Sequence, residues 1–205
     1  MSLKADSYIL KAKITPELKK RFLEEIKRSI KTGKETGFPI CLSNAKAQND
    51  KLYAPAKRCT GKECEFIIED LKKYCPDKVQ GAFHPHPYLP NIERFYGRKP
   101  TEKEIKDGIK IYKRHFEKEG ITLQTPSHHD LTDVLIDQCI GDTEGTVCVG
   151  SDMDLTKVEC WTIKSDRVKI RDCPQATEEH KQRISDKPRD WIKPLFNREI
   201  INVQH

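Results

Sequence analysis

The sequence predicts one mixed α/β domain, and three observations carry that prediction. Leu18, Phe22, Ile26 and Ile30 recur every four residues behind a helix-start signal at Thr15-Pro16, which is the spacing of one helical face. Short apolar runs at Phe38-Pro39-Ile40-Cys41-Leu42 and Gln80-Gly81-Ala82-Phe83 have the length and composition of buried strands. Helical and strand patterns then alternate to the C-terminus. No repeat, low-complexity segment or linker parts two domains, so residues 1–205 read as a single unit.

Taken in order, Ser7 to Ile14 reads as an opening strand. Thr15 is the predicted N-cap of the first helix, with Pro16 at its first position. Leu23 lies beside its apolar stripe and Gly33 ends it. Glu35 stands just ahead of the buried strand over 38–42, and residues 44–58 are polar and irregular, a loop or ragged hairpin. Lys62 to Tyr74 predicts a second helix, with Cys64, Ile67, Ile68, Leu71 and Cys75 on or near one side. Pro76-Asp77 turns the chain into a strand ending in His84-Pro85-His86-Pro87, and that pattern breaks at Tyr88-Leu89-Pro90-Asn91. Thr101-Glu102-Lys103-Glu104 is a capping box that opens a third helix, with Ile105, Ile109, Tyr112 and Phe116 on one face and Gly120 as its stop. A fourth helix starts at Ser127 or a neighbour and ends at Gly141. Thr146 to Val149 and Val158 to Ile163 alternate as sheet strands. In the tail, Val168 to Arg171 and Glu199 to Val203 read as strands and Ala176 to Ser185 as a short helix.

Apolar residues make up 36% and charged residues 34% of the chain, enough for a core beneath a densely charged surface. No run approaches the roughly 18 apolar residues that span a bilayer. Leu3 to Ile14 is broken by lysines and an aspartate, unlike a signal peptide. A cytoplasmic protein without a membrane partner is the expectation. The formal charge of +6 is interleaved with acids, and no Lys/Arg block alternates with aromatics. A solvated lysine-rich surface is therefore expected rather than a nucleic-acid-binding stripe. The eight cysteines include no C-x-x-C pair. Cys41 and Cys148 lie among apolar neighbours and read as small buried residues. Cys59, Cys64 and Cys75 leave open a second metal site or a disulfide, which inside cells is expected mainly in hyperthermophiles.

The chemistry is concentrated between Gln80 and Asp130. In an extended chain residues i and i+2 point to the same side, so His84 and His86 can present two imidazoles to one point. Asp130 stands where the fourth helix begins. Two imidazoles and a carboxylate, with a fourth position for water, are the ligand set of a catalytic zinc site rather than a structural one. Plainer readings stand beside this one: a surface turn at H-P-H-P, a carboxylate at a helix dipole for Asp130, an N-cap for Ser127 and a solvated loop acid for Glu35. Tyr112 and Phe116 read as helix packing rather than substrate contacts.

The order of these features is specific: Glu35 before a buried strand, then Gln80 to Pro87, then Pro126-Ser127-His128-His129-Asp130-Leu131 at a helix start. It resembles the JAB/MPN metalloprotease family, whose JAMM motif is a glutamate, then H-x-H-P, then S-x-x-D. The resemblance spans roughly residues 8–164. It implies a cytidine-deaminase-like architecture, a single mixed sheet flanked by helices. It also implies Zn²⁺ on His84, His86 and Asp130, Glu35 as general base and Ser127 as oxyanion donor. The implied activity is cleavage of a peptide or isopeptide bond, with ubiquitin-like conjugates among the family's substrates.

The chain departs from the family pattern in four ways. Residues 88–126 separate the two halves of the motif, where the family has a short gap, and are expected to form an inserted helical lid. Pro85 stands where threonine or serine is usual. Glu63 and Glu65 also precede an apolar segment and compete with Glu35. His128 and His129 add imidazoles that the motif does not use. Residues 165–205 are expected as a C-terminal extension. The alternative function is a catalytically inactive JAB/MPN-like scaffold or protein-interaction module. A third reading is a basic nucleic-acid-associated protein with a structural metal on Cys59, Cys64 and Cys75.

Overall fold

A computed structural model describes residues 8–9, 12–43, 51–55, 59–60, 73–139, 144–164 and 192–204. Helix α1 (Pro16–Thr32) forms where its signals lie. The Thr15 hydroxyl accepts the Leu18 N–H at 3.1 Å, and Gly33 closes the helix at φ 62°, a left-handed conformation open to glycine without a Cβ penalty. The buried stripe departs from the expected repeat of four. Leu18, Phe22 and Ile26 are buried, but Ile30 is exposed, and Glu25 and Ser29 take inner positions. At about 3.6 residues per turn, each step of four walks round the axis by about 40°. By Ile30 the stripe has turned out of the core.

Strands β1 (Tyr8–Ile9), β2 (Ala12–Ile14), β3 (Thr36–Ser43), β4 (Lys51–Tyr53), β5 (Cys59–Thr60), β6 (Lys78–His86), β7 (Thr146–Ser151), β8 (Asp154–Ile163) and β9 (Phe196–Asn202) make one sheet. Its order is β1-β2-β4-β3-β6-β7-β8-β9, with β5 paired to the start of β3. The β2/β4 and β6/β7 pairs are parallel and the rest antiparallel, so the protein is mixed α/β, as its sequence predicts. The opening strand is two short strands paired with each other, Tyr8 opposite Lys13. The polar stretch after β3 supplies β4, which pairs back on β3. The helix expected over 62–74 lies outside the described residues except for 73–74, which are helical. The strand expected over 168–171 and the helix over 176–185 lie outside them altogether. Among the described residues, no helix is long and apolar enough to cross a membrane.

The sheet is covered on both faces. Leu18, Phe22 and Ile26 of α1 pack with Phe38, Phe83, Cys148, Val158 and Cys160 on one side. On the other, Leu131 and Leu135 of α4 (His128–Cys139) pack with Val147, Val149, Trp161 and Ile163. Alternation along β6 therefore turns Phe83 toward α1 and His84 and His86 toward the α4 side. Between β6 and α4 the chain builds α2 (Leu89–Tyr96) and α3 (Glu102–Lys118). They meet over Ile92, Leu123 and Met153, with Tyr88, Ile109, Tyr112 and Phe116 packed around them. The capping box of α3 is present, Thr101 and Glu104 each holding the other's backbone N–H. Helix α2 begins where the sequence reading breaks the strand pattern, and it is a helix which that reading does not mark. Its cap is supplied from far along the chain: Asp152 accepts the Tyr88 and Leu89 N–H groups at 2.9 and 2.8 Å.

The cysteines also correct their sequence reading. Cys41 and Cys148 are buried as expected, with Cys75 and Cys160 buried beside them, but they are joined in pairs, Cys41 to Cys75, for which the sequence leaves a disulfide open, and Cys148 to Cys160. Cys148 and Cys160 face each other across the β7/β8 pair. With Cys75 bonded to Cys41, a metal site on Cys59, Cys64 and Cys75 lacks its third thiolate.

Candidate metal centre

Strand β6 delivers two imidazoles to one point because it lies flat against β7. A Cβ on Gly81 would sit 1.7 Å from the Thr146 carbonyl oxygen, so only glycine permits this approach. In the resulting register His84 lies opposite Val149 and His86 opposite Ser151. The two Nε2 atoms face each other at 3.3 Å. Their side chains keep only 11% and 18% exposure.

Asp130 reaches the pair from the first turn of α4. Leu131 and Leu135 bury against the sheet and so lower the start of the helix onto β6. The Asp130 carboxylate lies 3.4 Å from His84 Nε2 through Oδ1 and 3.6 Å from His86 Nε2 through Oδ2. Ser127 locks it from behind, its N–H donating to Oδ2 at 2.6 Å while its hydroxyl accepts the Asp130 N–H at 3.1 Å. Ser127 is thus the cap of α4, and the proton of its own hydroxyl is not committed by that bond. Burial pushes the Asp130 carboxyl up, but the His84 hydrogen bond and the two imidazoles beside it outweigh that and hold the group far below the ordinary carboxylate value. His84 is the mirror case. Burial alone would lower it, yet the Asp130 hydrogen bond and charge, with the Glu35 charge, leave it raised.

Glu35 lies at the mouth of the cluster, with Oε1 3.6 Å from His84 Nε2 and the side chain half-exposed. Gly37 brings it there. The β3/β6 register pairs Phe38 with Phe83, and a Cβ on Gly37 would lie 2.4 Å from the Phe83 carbonyl oxygen. Of the competing acids, Glu63 and Glu65 lie outside the described residues. His129 pairs with Asp133 on an exposed flank at 3.3 Å. Among the described residues, the group that could hold a metal ion is His84, His86 and Asp130, whose ligand atoms all lie within 4.8 Å of one another.

Three residues around this centre escape the sequence reading. The Tyr88 hydroxyl lies 3.1 Å from His86 Nδ1 and donates to the Leu123 carbonyl at 3.2 Å. Its signal was available, since Tyr88 continues the i, i+2 series of His84 and His86. Asp152, at the β7/β8 turn, holds the start of the 88–126 segment as described above. Glu159 on β8 holds its end. This buried carboxylate accepts the Thr122 and Thr125 hydroxyls at 2.7 and 3.3 Å, the Trp161 indole N–H at 2.5 Å and the Arg198 guanidinium at 2.8 Å. Nothing in the sequence names the partners of an acid inside an apolar strand.

No protein-family model matches the chain, and a search of curated proteins finds no match to it.

Proposed function

We propose that the chain is a zinc-dependent hydrolase of the JAB/MPN type, cleaving peptide or isopeptide bonds, with ubiquitin-like conjugates as the substrate class the motif suggests. The observation that carries this reading is the spacing of the donor atoms. Tetrahedral zinc with ligand bonds of about 2.0–2.1 Å separates its ligands by about 3.3–3.4 Å. The two Nε2 atoms stand 3.3 Å apart, Asp130 sets Oδ1 3.4 Å from that of His84 and Oδ2 3.6 Å from that of His86, and with one donor atom taken from each residue all three lie within 4.8 Å of one another. Two imidazoles and one carboxylate fit the ion and leave a position for water.

Zinc, when bound, supplies a water whose pKa falls to about 7. The chain's own residues do the rest. Asp130 stays ionised across the working range, as its depressed carboxyl requires. Glu35, beside His84 and open to solvent, takes the proton of the attacking water and passes it to the departing amine. The Ser127 hydroxyl donates a hydrogen bond to the carbonyl oxygen as that carbon becomes tetrahedral, an interaction worth about 3–4 kcal/mol in such sites.

The test is hydrolysis of a peptide joined through its C-terminus to a lysine ε-amine. Cleavage is expected with zinc, none after chelation, and a loss of about 10²–10⁴-fold in Glu35→Gln. Fully loaded protein that cleaves neither peptide nor isopeptide bonds would leave the metal-binding scaffold as the better account.

A further inference from the structure

Tyr88 carries one hydroxyl proton and stands between two polar atoms. The Leu123 carbonyl can only accept, so the Tyr88 proton is directed there, at 3.2 Å. The Tyr88 oxygen is then left to accept from His86 Nδ1 at 3.1 Å. This places the His86 ring proton on Nδ1 and leaves the Nε2 lone pair facing the His84 Nε2 and the Asp130 carboxylate. We propose that Tyr88 is a positioning residue that sets the tautomer and ring orientation of His86, and that the inserted helices serve to hold its hydroxyl at that place.

The surroundings of Tyr88 match that role. Its ring meets His86 edge-on at 5.8 Å and is backed by Tyr112 at 5.4 Å and Phe116 at 5.6 Å, both from α3. Its backbone N–H is fixed by Asp152. The carbonyl that takes its proton belongs to Leu123, in the turn whose Thr122 and Thr125 hydroxyls are gathered by Glu159. One hydroxyl therefore joins the start of the insertion to its end, and buried acids of β7/β8 pin each of them. The insertion acts as a brace on one ligand. Groups that hydrogen-bond the far nitrogen of a ligating imidazole typically alter metal affinity by about 10–100-fold.

The effect on zinc rests on the metal reading given above; the tautomer does not. Two measurements separate them. In metal-free, ¹⁵N-labelled protein at mildly alkaline pH, long-range ¹H–¹⁵N correlations are expected to give His86 a protonated Nδ1 and a bare Nε2, and Tyr88→Phe is expected to mix the two tautomers. In chelator competition, Tyr88→Phe is expected to bind one zinc per chain about 10–100-fold more weakly than the parent, with the melting temperature as a check on folding. A His86 proton on Nε2 in the parent protein overturns the proposal, as does an unchanged zinc affinity in Tyr88→Phe. If the parent takes up no zinc, the hydrolase reading fails alone, and the tautomer still decides the role of Tyr88. Should Tyr88→Phe fail to fold, the spectrum of the parent protein decides it.

Discussion

Ser127 and Asp130 cap each other, the serine hydroxyl accepting the aspartate N–H and the aspartate carboxylate accepting the serine N–H. The same exchange that starts α4 aims the carboxylate at both imidazoles. Ser127→Ala should cost about 1 kcal/mol of stability as a lost N-cap. Its effect on turnover should be far larger, about 10²–10³-fold, because the oxyanion donor goes with it. Melting temperature and kcat measured on one preparation check this. Equal, small losses in both would confine Ser127 to its capping role.

The pH dependence of the metal-free protein should follow the two shifted groups. Asp130 is depressed, so its contribution is present above the ordinary carboxylate value of about 3.9 and is lost as pH falls below it. His84 is raised, so its contribution is complete below about 6.5 and fades as pH climbs through its folded-state value. Stability from this pair should be greatest between about pH 4 and 6.5, and His84→Ala should remove the decline on the alkaline side. Zinc reverses the upper limit, since a ligating imidazole must be neutral, and zinc affinity should rise with pH over the same range. Thermal melts in chelator, set against zinc titrations at matched pH, check both directions.

Glu159 should matter for stability although it touches no ligand. Replacing it with alanine leaves the Trp161 N–H and two threonine hydroxyls without their acceptor, a cost of about 2–4 kcal/mol. Arg198 is partly exposed and adds little. The loss should loosen the Thr122–Thr125 turn first, so amide exchange there should quicken more than in α1. Uniform quickening would contradict the pinning role.

The two disulfides of the described residues should be found intact in protein that has not been reduced, Cys41 with Cys75 and Cys148 with Cys160. Peptide mapping by mass spectrometry checks the pairing. Replacing either pair with alanine should cost about 2–4 kcal/mol, or several degrees in melting temperature at this chain length.

What was readable in the sequence was what a short-range period or cap could encode. The strand period of two puts His84 and His86 on one side, and the start of a helix at Ser127 places Asp130 within its first turn. Thr15, Gly33 and the Thr101–Glu104 box mark helix ends because their bonds close within a few residues. What stayed hidden depends on partners far along the chain. Helix α2 has no local cap, since Asp152 supplies it. Cys41 and Cys75 choose each other only once β3 and the turn into β6 are adjacent. The four bonds of Glu159 come from three separate segments.

The central claim is that His84, His86 and Asp130 hold one zinc ion, and counting that ion tests it most directly. After zinc loading and dialysis, elemental analysis should give one zinc per chain in the parent protein and in Cys64→Ala, and none in His84→Ala or Asp130→Ala. Zinc retained by the His84 and Asp130 variants, or lost with Cys64, would contradict the account.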